Sequence, residues 1–126
     1  MKEDLIEIGT AYLRAFSEAD FKKAREYVTD DFHFKGSIDE FHSADQAFEA
    51  FTNVGPMING IDIISAFSNE GEACFIYLFR CKPPIGHVPT VEYMKFSDER
   101  IHSSRIFYDP HSFEAIMELP SVKTSI

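Results

Sequence analysis

Residues 73–108 decide the fold: Ala73-Cys-Phe-Ile-Tyr-Leu-Phe-Arg-Cys81, then Lys82-Pro-Pro-Ile-Gly86, Val88-Pro-Thr-Val-Glu-Tyr-Met-Lys-Phe96 and Ile101-His-Ser-Ser-Arg-Ile-Phe-Tyr108. Each apolar run is eight or nine residues long, rich in β-branched and aromatic residues, and bounded by turn formers. That is strand composition. Ile61 to Phe67, just upstream, reads the same way. Asn69-Glu-Gly71 and Ser97-Asp-Glu-Arg100 have hairpin-turn composition, and residues 82–86 make a longer connection. Four consecutive strands linked this way predict a long antiparallel sheet.

Upstream the period changes. Leu5, Ile8, Tyr12, Leu13 and Phe16 fall on one stripe at helical spacing, predicting a helix over 3–17. Asp20 has N-cap chemistry for a second helix through Val28, with Phe21, Ala24 and Val28 as its buried face. Asp31 to Lys35 reads as a short strand and 36–42 as a loop. Ser43 and Gln46 have capping-box spacing for a third helix that buries Ala47, Phe48, Phe51 and Val54. Gly55-Pro56 ends or bends it. Asp109-Pro110 opens a last short helix to about Leu119, stopped by Pro120, before a frayed tail. Helices followed by hairpin-linked strands make an α+β plan. A sheet that curls around helices leaves a concave face, where small ligands bind.

The chain has 126 residues, fitting one domain over 1–126. A net charge of −9 argues against nucleic acid and anionic membranes. The opening Met1-Lys-Glu-Asp-Leu-Ile-Glu-Ile8 is too charged for a signal peptide, so a cytoplasmic location is expected. Cys74 and Cys81 share one strand, about 23 Å apart in extended chain, and cannot pair with each other. There are 13 Phe and no Trp, more bulky apolar volume than a small core needs. Some of it is free to line a cavity.

Three segments resemble the nuclear transport factor 2-like (NTF2-like) superfamily, specifically its SnoaL-like polyketide cyclase and ketosteroid isomerase group. They are Ala11-Tyr-Leu-Arg-Ala-Phe-Ser-Glu-Ala-Asp20, Val28-Thr-Asp-Asp-Phe32 and Arg100-Ile-His-Ser-Ser-Arg-Ile-Phe-Tyr-Asp109. The resemblance implies a cone-shaped, mainly antiparallel sheet wrapped around N-terminal helices, an interior pocket and commonly a homodimer through the outer sheet face. It also implies site residues. Tyr12 matches a tyrosine that donates a hydrogen bond to a substrate oxygen. Glu92 matches the second oxyanion donor, an aspartic acid in the isomerases, a family whose buried protonated acid is a known case of pKa tuning. Asp109 matches the acid that ends the last strand in the cyclases. The isomerase base falls on Gly36, which has no side chain to move a proton; His33, Asp39 and Glu40 stand nearby.

The residues themselves leave alternatives open. Tyr12 could instead be a core tyrosine bonded to a backbone carbonyl. Strand parity does not decide whether Glu92 faces in with Thr90, Met94 and Phe96, or Val91 and Tyr93 do. Asp109 before proline is an ordinary helix N-cap. His102 suits proton transfer but sits near a turn; it shares its strand with Ser104, on the face aligned with the pocket. Arg80 and Arg105 could hold a carboxylate or pair with acids. Phe16, His33, Phe48, Phe51, Met57, Phe75, Met94, Ser104, Ile106 and Tyr108 are the expected ligand-binding set. No metal-ligand spacing occurs among the five histidines. No cofactor motif is present, and no Arg-x-Asp of the epoxide-hydrolase kind. The expected partner is a small apolar molecule. Two functions fit: a cofactor-free isomerase or cyclase acting by proton transfer on a carbonyl compound, or a ligand-binding or dimerisation module without chemistry.

Overall fold

The computed structural model describes residues 4–113. Helix α1 spans Leu5–Ser17, and its first turn is capped by Asp4, whose carboxylate accepts from the Ile6 amide at 3.0 Å. Helix α2 is shorter than expected, Phe21–Arg25, capped by Asp20. Val28, assigned above to that helix, already begins strand β1 (Val28–Lys35). β-Branched Val28 and Thr29 favour the extended chain. Helix α3, Ala44–Val54, starts where expected: Ser43 accepts from the Gln46 amide at 3.1 Å, and Gln46 accepts in return from the His42 amide.

The loop expected at 36–42 contains a two-residue strand β2 (Glu40–Phe41) that pairs back on β1. Strands β3 (Ile58–Asn69), β4 (Glu72–Cys81), β5 (His87–Ser97) and β6 (Arg100–Tyr108) are the four read from the sequence, some a few residues longer. The curved, unclosed sheet has the order β2-β1-β6-β5-β4-β3. Pairing is antiparallel except between β1 and β6. The helices cover its concave face. Past Tyr108, Pro110–Phe113 forms one 3-10 turn; the rest of the helix expected to reach Leu119 lies outside the described residues.

Two of the sheet's register irregularities bear on which side chains face inward. In β6, Phe96 pairs with Ile101 but Lys95 pairs with Ser103, so His102 is an extra residue. Such a bulge switches the strand's parity. Ile101 and Ser104 both face the core, and His102 is turned out. The expectation that His102 and Ser104 share a face fails for this reason. In β3 a second bulge falls at Ile64, which is 68% exposed on the outer face beside Phe67.

The narrow end of the cone is filled. Phe32, Phe75, Met94, Leu13, Val28 and Ile101 are essentially inaccessible. Gly9 of α1 lies directly on the Phe75 ring: a Cβ there would stand 2.4 Å from two ring carbons. The wide end is not filled.

Candidate functional site

An apolar cavity of about 210 Å³ opens at the wide end. Its helical wall is Tyr12, Leu13 and Phe16 of α1 with Ala50, Phe51 and Val54 of α3. The sheet contributes Phe34, Phe41, Tyr77, Phe79, Val88, Thr90, Glu92, Ile106 and Tyr108. Ile38, Asp39 and Phe113 stand at the mouth. That volume is many times what one water needs. Among the described residues no Lys, Arg or His lines it.

Antiparallel register brings the polar groups together. Glu92 faces inward, opposite Phe75 on one side and Ile106 on the other. Its two oxygens are held diagonally: the Tyr77 hydroxyl donates to Oε1 at 2.7 Å, and the Ser104 hydroxyl donates to Oε2 at 2.5 Å. The residue is 3% exposed. Burial pushes its carboxyl above the ordinary range, against the two hydroxyl donors that favour the ionised form.

Tyr12 is buried, and burial followed by the neighbouring Glu92 raises its phenol well above the usual value. Among the described residues, no group donates to or accepts from its hydroxyl. A buried phenol normally has a partner. Here it meets the cavity, so whatever occupies the cavity is the available partner. Tyr77, by contrast, is committed to Glu92. Asp39, exposed at the mouth, is also raised by partial burial, and burial together with the nearby Asp39 lifts Tyr108 to about 12.

Several expected site residues stand elsewhere. Phe75 and Met94 are core, and Phe48 packs on Phe32 and Phe51 beside the cavity wall. Met57 joins a second cluster with Cys81, Ile85 and Val88. His33 and His102 face outward, His102 lying 3.7 Å from Asp31. Asp109 is exposed and its carboxylate accepts from the His111 amide at 2.9 Å, which is the capping reading. Arg80 pairs with Asp62 across β3 and β4 at 2.8 Å, and Arg105 lies over Phe107; neither lines the cavity. Ser104 holds Glu92 without lining the cavity. Tyr12, Phe16, Phe51, Glu92, Ile106 and Tyr108 do line it. Tyr77 and Thr90 were missed, although period-2 alternation from Phe75 and Glu92 points to both.

The raised Glu92 carboxyl makes a pH prediction. The folded state holds this proton to higher pH than the unfolded chain does, so its contribution lowers stability as pH rises from the ordinary Glu range through the raised native value. Glu92→Gln removes that contribution. The melting temperature of Glu92→Gln relative to wild type should therefore climb between pH 4 and pH 8. A constant offset across that interval would show that Glu92 titrates normally.

The architecture defines an NTF2-like protein fold. Three solved structures share it. An NTF2-like protein from Cytophaga hutchinsonii ATCC 33406 is 12% identical, covering 90% of this chain and 97% of its own, with a TM-score of 0.79. A protein of ketosteroid isomerase-like fold from Catenulispora acidiphila DSM 44928, in complex with trimethylamine, is 20% identical over 91% of this chain and 95% of its own, at 0.75. A protein of SnoaL-like polyketide cyclase type from Shewanella denitrificans OS-217 is 16% identical over 88% and 94%, at 0.73. No protein-family model and no curated protein matches the sequence. The likeness is one of fold, and such folds host many chemistries.

Proposed function

We propose that the chain is a cofactor-independent proton-transfer enzyme of isomerase or cyclase type, acting on a small, neutral, mostly apolar carbonyl compound. The observation that carries this reading is the Tyr12 hydroxyl, buried in an apolar cavity beside Glu92 and without a partner among the described residues.

In this reading the carbonyl oxygen sits against Tyr12 and Glu92. With Glu92 protonated, both groups donate to it, and both bonds strengthen as enolate charge develops on that oxygen. Tyr77 and Ser104 fix the carboxyl, so little reorganisation is needed during reaction. Asp39 removes a proton from the carbon next to the carbonyl and returns it at another carbon. It takes the place of the side chain that Gly36 lacks, and its raised pKa brings it nearer to the working range of a general base. The absence of a cation from the described wall disfavours carboxylate and phosphate substrates. Apolar walls exclude water that would otherwise compete for the enolate.

The test is exchange of α-protons for deuterium in a panel of small enolisable cyclic ketones, followed by NMR. Wild-type protein should accelerate exchange for members that fit the cavity. Asp39→Asn should lower that rate by about 10²–10⁴-fold, the usual contribution of general acid–base catalysis. Binding without exchange across the panel would leave a ligand-holding module of the same fold. Exchange that is indifferent to Asp39→Asn would remove Asp39 from the mechanism.

A further inference from the structure

A second cluster lies on the opposite face of the β1–β2 hairpin. Its register pairs Phe34 with Phe41 and Lys35 with Glu40. The two phenylalanines stack toward the cavity. One step further, His33 comes opposite His42, and their imidazoles stack at 5.0 Å on the outer face. Glu40 stands between them. Its Oε2 is 2.7 Å from His33 Nε2 and 3.9 Å from His42 Nε2, so both rings aim the same nitrogen at one carboxylate oxygen. One ligand atom from each of the three residues fits within a 4.8 Å span. Lys35 lies 3.7 Å from the other oxygen, Oε1.

We propose that His33, Glu40 and His42 form a binding site for a Zn²⁺-class divalent transition-metal ion. Two imidazoles and one carboxylate are a donor set that suits zinc and its neighbours rather than magnesium or calcium. In a tetrahedral site with bonds of about 2.0–2.1 Å, donor atoms stand about 3.3 Å apart. The observed 2.7 and 3.9 Å bracket that spacing, so side-chain rotation closes the set while the backbone stays in register. The hairpin provides the preorganisation. His33 sits in β1, a strand held by β6 on its other side, where it pairs with Ser103. Three protein ligands leave a fourth position for water or another small ligand. The pattern was invisible as sequence spacing because the donors meet across a hairpin and not along one helix or strand. The site is independent of the cavity reading, since it lies on the other face of the strands.

Tag-free protein should be titrated with Zn²⁺ alone by calorimetry, with the histidine ring resonances followed by NMR. The expected result is one ion per chain, with the Nε2 signals of His33 and His42 moving together while those of His87 and His102 stay in place. His42→Ala and Glu40→Gln should each weaken binding by about 10–100-fold or more, the range that even outer partners of a metal command. His42 and Glu40 are exposed, and an unchanged amide spectrum of each variant will confirm that it folds. No heat and no shift in the wild type, equal binding by His42→Ala, or movement of His33 without His42 would each overturn the site and leave a His33–Glu40 hydrogen bond.

Discussion

Tyr12→Phe is expected to lower the α-proton exchange rate by about 10²–10³-fold while leaving the melting temperature unchanged or slightly raised. The two halves of that expectation come from the same observation. The phenol hydroxyl is buried and has no protein partner among the described residues, so deleting it strands no donor or acceptor and removes a poorly solvated polar group. A tyrosine kept for structure behaves oppositely. Tyr77→Phe is the internal comparison, because it takes a donor from the buried Glu92 carboxyl and should cost about 1–3 kcal/mol of stability. The rate loss in Tyr12→Phe corresponds to one oxyanion donor, about 2.7–4 kcal/mol of transition-state stabilisation. Exchange rates and thermal melts on the same two variants check both halves. A Tyr12→Phe protein that melts well below wild type yet exchanges normally would place Tyr12 in the core and out of the chemistry.

Phe75→Ala should cost about 3–5 kcal/mol, because the ring is wholly buried in the filled end of the cone and its neighbours relax only in part. Gly9→Ala tests the same contact from the other side. In an isolated helix the change would gain about 1 kcal/mol of helix propensity. Here the new methyl would meet two ring carbons of Phe75 at 2.4 Å and would itself stand 3.2 Å from the Met94 sulfur. The ring is wholly buried, and overpacking of this kind costs about 1–3 kcal/mol. The clash outweighs the propensity gain, so the single variant should be less stable. Combined with Phe75→Ala, the methyl occupies vacated space and the propensity gain is recovered. The double variant should therefore be more stable than Phe75→Ala alone. Denaturant melts of the four proteins measure this. Strict additivity would mean that helix and ring do not meet as described.

Much of the architecture was legible before any coordinates. Strand runs bounded by turn formers, the stripe on α1 and the Ser43 cap are local signals. Local propensity and periodicity operate within one element, and each element agreed with its neighbours. The resemblance carried in α1, β1 and β6 pointed to the NTF2-like fold, whose curved sheet the structure bears out. Where local signals conflicted, the reading stopped short. Both faces of β5 are partly apolar, so nothing local decided whether Glu92 faced in.

The amino-acid sequence by itself determined the order of helices and strands, the α+β class and the position of Tyr12 on the buried stripe of α1. Only the tertiary structure decided the direction of Glu92, the commitment of Tyr77 and Ser104 to it, and the outward turn of His102. Those depend on cross-strand register and on one extra residue in β6, which are relations between segments distant in the chain. The same holds for His33, Glu40 and His42. Hydrogen bonding between neighbouring strands sets such neighbours, and no spacing along a single strand encodes them.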